Sequence, residues 1–169
     1  KYNCNSQGIT NQQNNILLVE QEKQELGFVG TPKKINQSII EQIVKEKKVP
    51  VIAPLGLDKN SQVFNINADT AAGAIAKKLN ARRLIIMSDV EGVLDNNRKL
   101  ISEINTNKIN ELIENETISG GMIPKIKNCL DVASNGVKGV VIIDGRKNHS
   151  ILFELLSEKG SGTLIRKWI

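Results

Sequence analysis

Two short apolar runs, Leu84-Ile85-Ile86-Met87 and Val140-Val141-Ile142-Ile143, constrain the fold more than any other feature of this chain. Neither holds a polar residue that could face water, and neither is long enough to be a buried helix. Each therefore reads as a strand covered on both faces, the condition of strands in a sheet with helices above and below. Segments of helical spacing stand between and beside them, so strand and helix alternate along the chain. This order predicts an α/β fold: an open, mostly parallel sheet sandwiched by helices.

Local signals place the other elements. Further strands are expected at residues 16–19, 26–30, 49–55, 62–66 and 162–165, with Thr31-Pro32 closing the second. A helix is expected at about 37–47, with Asn36 as N-cap and Ile39, Ile40, Ile43 and Val44 on one face. Asp69-Thr70 starts an Ala-rich helix over 71–79, and Thr106 caps another to about 115. Two more helices are expected at about 122–134, ended by Asn135-Gly136, and at 150–156. Residues 1–15 are polar and read as a loop.

Aromatic residues make up only 3% of the chain (Tyr2, Phe28, Phe64, Phe153 and Trp168), so the core has to be aliphatic. The net charge is +5, but acidic residues are mixed among the basic ones and no aromatics interleave with pairs such as Lys47-Lys48 or Arg82-Arg83. A nucleic-acid partner is therefore not expected. Nor is a membrane, since no apolar run nears the roughly 18 residues of a span. Cys4 and Cys129 form neither a disulfide framework nor a metal-ligand cluster; Cys4 reads as a surface thiol and Cys129 as a core residue. A reducing compartment and no protein-held metal are expected. The start of the chain lacks the pattern of a signal peptide. Asn, Ile and Lys, whose codons are AT-rich, are heavily used, which points to an AT-rich bacterial or organellar gene.

Three segments can carry chemistry. Asn65-Ile66-Asn67-Ala68-Asp69 joins a strand to the Ala-rich helix, and strand ends are where ligands bind in α/β sheets. Asn65 and Asn67 are two apart and share one strand face. The segment is equally an Asx-turn with Asp69 as a helix cap. Ser88-Asp89-Val90-Glu91-Gly92 follows a buried strand, which sets a carboxylate at its end; a tight turn would also use Asp and Gly there. Gly120-Gly121 precedes a helix with Lys125 in its first turns, an arrangement that lets backbone N–H groups approach a phosphate while the lysine neutralises charge. A flexible glycine loop with a surface lysine is the alternative. His149, the single histidine, has no triad partner in the sequence.

Together NINADTAAGAIAKKL, LIIMSDVEGVLD, ISGGMIPKI and IIDGRKNHSILFELLSEKGSGTLI, preceded by LGFVGTPKKIN and VPVIAPLG, resemble the acetylglutamate kinase family of the amino-acid kinase superfamily in order and spacing. The resemblance runs from about residue 26 to 165 and implies a carbamate kinase-like fold. It further implies MgATP-dependent phosphorylation of the side-chain carboxylate of N-acetyl-L-glutamate, the second step of arginine biosynthesis. By the resemblance Lys125 stabilises the transition state and Asp69 orients the catalytic lysines. Asn65, with Asn67 beside it, binds the acyl substrate; Ser88 and Asp89 line the nucleotide site, and Gly120 and Gly121 lie by its phosphates.

The lobes implied are 1–65 for the acyl substrate and 66–169 for the nucleotide, within one continuous kinase domain. The family's opening strand, its lysine, its two Gly-Gly pairs and its substrate-binding arginine have no counterpart before Leu26, so the stretch reads as a C-terminal portion, expected to be inactive by itself. His149, Ser157, Glu158, Gly160 and Gly162 resemble the arginine effector site of feedback-inhibited members. Such members are homo-oligomers, often hexamers, and those of photosynthetic lineages bind the PII signalling protein; a plastid stroma is preferred here over a bacterial cytoplasm. The alternatives are a kinase of the longer acetylaminoadipate in lysine biosynthesis and a non-catalytic arginine-sensing domain. Sensing domains tend to lose phosphoryl-handling residues, whereas Asp69 and Lys125 are retained here.

Overall fold

A computed structural model describes residues 3–10 and 15–167. The chain divides at Leu79/Asn80 into two compact units. The first holds β1 (Ser6–Ile9), β2 (Leu17–Gln21), β3 (Gly30–Ile35), α1 (Gln37–Lys45), β4 (Val49–Ile52), β5 (Leu55–Leu57), β6 (Val63–Asn65) and α2 (Ala68–Lys78). The second holds β7 (Leu84–Ser88), β8 (Glu103–Asn105), α3 (Ile109–Glu114), α4 (Met122–Ser134), β9 (Val140–Asp144), α5 (Ser150–Leu156) and β10 (Gly162–Arg166). The boundary thus falls after α2, whereas the lobe division implied at 65/66 precedes that helix.

The fold is α/β with mixed sheets. In the first unit β1 pairs with β4 in parallel, and a separate sheet runs in the order β3-β2-β5-β6, parallel at β2-β5 and antiparallel at its two outer pairs. In the second unit the order is β7-β9-β10-β8, parallel at β7-β9 and β10-β8 and antiparallel at β9-β10. Parallel pairings predominate among the described strands, but they are distributed over several hydrogen-bonded sheets rather than one.

Each unit has an aliphatic core. In the first, Ile9, Leu17, Val19, Ile40, Ile43, Phe64 and Ile66 are buried together. In the second, every residue of β9 is buried, and α4 lays Ile126, Cys129 and Val132 against β9 and β10. Cys129 is therefore the core residue its spacing suggests, and Cys4 is exposed. Several local expectations are corrected. Residues 26–30 are not a strand, since Gln24–Leu26 is a 3-10 turn and β3 begins at Gly30, and Thr106 opens a 3-10 turn capped by Asn105 ahead of α3. Ser6–Ile9 is a strand, not a loop, because β4 supplies a parallel partner for a segment with one apolar residue. Thr31-Pro32 lies inside β3 instead of closing a strand; β3 is an outer strand, where proline's missing N–H costs no ladder bond. Met87 is 51% exposed, because β7 is also an outer strand. The expectations for Lys1, Tyr2, Trp168 and residues 11–14 lie outside the described residues.

Candidate functional site

In the first unit, Phe64 and Ile66 turn into the core and leave Asn65 and Asn67 exposed between them, as the strand alternation requires. Asn65 ends β6 and is anchored by its backbone, whose N–H donates to the Phe28 carbonyl at 2.8 Å. Asn67 is the N-cap of α2: its Oδ1 accepts the Thr70 N–H at 3.1 Å. The alternative reading of Asp69 as the cap is thereby corrected. Asp69 lies in the first turn, where the helix dipole favours a carboxylate. The buried Ala71, Gly73 and Ala76 let α2 pack closely against β3, which fixes where Asp69 stands.

In the second unit, the parallel strands β7 and β9 end side by side, with Ser88 in register with Asp144. The Gly145 N–H donates to the Ser88 carbonyl at 2.8 Å and ties the two outgoing loops together. Ser88 Oγ lies 3.3 Å from Asp89 Oδ1. The Asp144 carboxylate, 3% exposed, accepts Arg146 Nε and Nη2 at 2.9 Å each and the Arg146 backbone N–H at 2.9 Å. Those hydrogen bonds hold its pKa down to about 2, and Asp144, Asp89 and Glu91 raise that of Arg146. Lys147 pairs with Glu91 across the two loops at 3.0 Å. Asp144 and Arg146 were not singled out from sequence. A carboxylate ending a buried strand is the signal that marks Asp89, and it marks Asp144 equally.

Gly120 has φ +54, and a side chain at Gly120 or Gly121 would meet nothing within 4 Å, so the backbone there is open to an approaching group. The next residue, Met122, begins α4, with Pro124 in the first turn, where its missing N–H breaks no helical bond. The helix is about 20 Å long. It packs on β9 and β10 and connects to the start of β9 through residues 135–139. Gly120-Gly121 stands directly before α4, with Lys125 one turn in. The first-turn N–H groups of Met122 and Ile123 donate to the Ser119 and Gly120 carbonyls at 3.2 Å each and Pro124 has none, so the backbone open to an anion here is that of Gly120 and Gly121.

The 157–163 loop closes an open cleft of about 510 Å³ lined in part by Ser157, Glu158, Gly160, Gly162 and Glu154. Glu154 is only 7% exposed and organises it: the carboxylate accepts Arg83 Nη1 at 3.2 Å and the Ser161 N–H at 2.9 Å. Gly160 is at φ +67, and a Cβ there would lie 2.6 Å from Glu154 Oε2. His149 is exposed, adopts φ 63 ahead of α5, and is not among the residues lining the cleft.

The model of the amino acid kinase family matches residues 1–144. The chain belongs to this family. It is 70% identical over 164 residues to the acetylglutamate kinase of Pelagibacter ubique, covering 97% of this chain and 57% of that protein. The chain thus spans little more than half the length of that curated relative. Among solved structures, N-acetylglutamate synthase from Neisseria gonorrhoeae, complexed with coenzyme A and L-arginine, superposes with a TM-score of 0.86 at 20% identity, covering 98% of this chain and 38% of that one. Carbamate kinase from Giardia lamblia bound to AMP-PNP superposes with a TM-score of 0.66 at 20% identity, covering 90% and 59%. Both likenesses are of fold, and they agree with the α/β class. No helix among the described residues is long and apolar enough to cross a membrane.

Proposed function

We propose that the protein carrying these residues transfers the γ-phosphoryl group of MgATP to the side-chain carboxylate of N-acetyl-L-glutamate. What supports this reading is the pair of strand ends at Ser88 and Asp144, side by side in β7 and β9, together with the open Gly120-Gly121 backbone ahead of Lys125 in the same unit. A carboxylate oxygen attacks the γ-phosphorus, the bond to the β,γ-bridging oxygen breaks, and ADP leaves with an acyl phosphate formed. The nucleophile is already ionised at neutral pH, so no general base is needed. The protein's work is positioning and charge stabilisation. Lys125 neutralises the charge spreading over the transferred group, Gly120 and Gly121 admit the phosphates to backbone N–H groups, and Ser88 and Asp89 line the nucleotide. Asn65 holds the acyl substrate and Asp69 orients lysine. Mg²⁺ would be carried by the nucleotide phosphates and would supply further neutralisation of their charge. Asn67 serves this site chiefly as the cap that fixes the start of α2. The similarity to bacterial acetylglutamate kinases supports a bacterial cytoplasm ahead of a plastid.

Chemical-shift mapping with N-acetyl-L-glutamate in the presence of MgADP tests the substrate assignment. Shifts centred on Asn65 and Asp69, obtained at lower concentration than with N-acetyl-L-2-aminoadipate, are expected, since one methylene is worth about 1–3 kcal/mol. Shifts elsewhere, or equal affinity for the longer acid, contradict it.

A second ligand is favoured by the 157–163 cleft. Of its carboxylates, Glu154 is engaged by Arg83 and Ser161 and Glu103 by Arg166, so Glu158 is the one that suits the guanidinium of arginine as an effector. Arginine should bind the chain saturably and more weakly after Glu158→Ala; unaltered binding in that variant would remove the cleft from the reading.

A further inference from the structure

The loop that carries Asp89 leaves β7 at Ser88 and returns to the sheet at Glu103 as a hairpin. Leu94 and Leu100 bridge across it, and the Ile101 N–H donates to the Val93 carbonyl at 2.8 Å. At the hairpin's base sits Thr163 of β10, fully buried at 0% exposure. Its hydroxyl accepts the Val93 N–H at 2.8 Å and donates to the Ile101 carbonyl at 2.7 Å, so one oxygen holds both arms. Both hydrogen-bonding capacities of the hydroxyl are thereby used inside the protein. Gly92 is fitted to it: the backbone turns at φ +143, and a Cβ there would lie 2.5 Å from Thr163 Oγ1 and 2.8 Å from Leu100 Cδ1. The segment from Asp89 to Gly92 is therefore suspended between two fixed points, the Ser88 carbonyl held by the Gly145 N–H and the Val93 N–H held by Thr163.

We propose that Thr163 is a positioning residue for nucleotide binding, setting the Asp89 loop through its hydroxyl without touching the ligand. This rests on the reading of that loop as part of the nucleotide site. Thr163 directly follows Gly162, one of the residues lining the neighbouring cleft.

The test compares Thr163→Val, which keeps the shape and loses the hydroxyl, with Thr163→Ser, which keeps the hydroxyl. Two quantities are read on each folded chain: MgADP affinity by calorimetry and hydrogen exchange at the Val93 amide. Thr163→Val should bind MgADP about tenfold more weakly and exchange Val93 fast, while Thr163→Ser stays near the parent in both. Adding Asp89→Ala to Thr163→Val should cost less than the two single losses combined, because both act through one loop. Equal losses in the Val and Ser variants, or unchanged affinity in a folded Thr163→Val chain, would overturn the proposal. If Thr163→Val does not fold, the parent decides: its Val93 amide should exchange slowly, and slower still with MgADP, whereas exchange at the rate of an open loop would overturn the latch. A parent chain that protects Val93 but binds no nucleotide would instead overturn the nucleotide reading of the loop and leave the latch standing.

Discussion

At the end of β9 a single carboxylate takes three hydrogen bonds from one arginine, and this pair has a pH signature. Hydrogen bonds from Arg146 lower the pKa of Asp144 to about 2. A carboxylate depressed on folding stabilises the native state above its ordinary pKa near 4, and that contribution fades as the pH falls through the window from about 4 to 2. Arg146→Ala should raise the Asp144 pKa and move acid unfolding, followed by circular dichroism, to higher pH. An unchanged acid midpoint would show that the pair does not contribute.

Two glycines separate packing from binding. A Cβ at Gly162 would be driven into the Ile142 carbonyl oxygen, part of the β9-β10 ladder, so Gly162→Ala should cost on the order of 3–5 kcal/mol by denaturant titration. Gly121 has φ −64 and open space before it. Gly121→Ala should therefore shift stability by no more than about 0.5 kcal/mol, yet weaken MgADP binding by obstructing the approach of phosphate.

Among elements, legibility followed locality. The bounds of α4 were readable because its punctuation, Gly120-Gly121 and Asn135-Gly136, lies next to it in the chain. β1 was not, since Ser6, Gln7 and Gly8 become a strand only through pairing with β4. The burial of β9 was legible from its four apolar residues, while the same pattern in β7 overstated burial because position within a sheet is not encoded locally. Asn65, Asp69, Ser88, Asp89, Gly120, Gly121 and Lys125 could be proposed because each sits at the end of an element. The Thr163 latch could not be, since its hydroxyl meets residues 62 and 70 positions away. At this scale Asn67→Ala should cost about 1 kcal/mol through loss of the α2 cap, and Asn67→Ser should recover most of it. Equal destabilisation by Ala and Ser would mean that Asn67 acts otherwise than as a cap.

Over the whole chain the candidate residues divide by unit: Asn65, Asn67 and Asp69 in the first, and Ser88, Asp89, Gly120, Gly121 and Lys125 in the second. The surface charge is mixed, with ion pairs such as Lys33–Glu20 in the first unit and Lys147–Glu91 in the second. In the proposed function the second unit grips nucleotide phosphates through Gly120, Gly121 and Lys125. Calorimetric titration of the chain with MgADP, beside Lys125→Ala and Asp89→Ala, tests it most directly. Saturable binding by the parent is expected, weakened about tenfold or more in Lys125→Ala and measurably in Asp89→Ala, with both variants folded. A folded parent chain that binds no MgADP, or variants that bind it as the parent does, would contradict it.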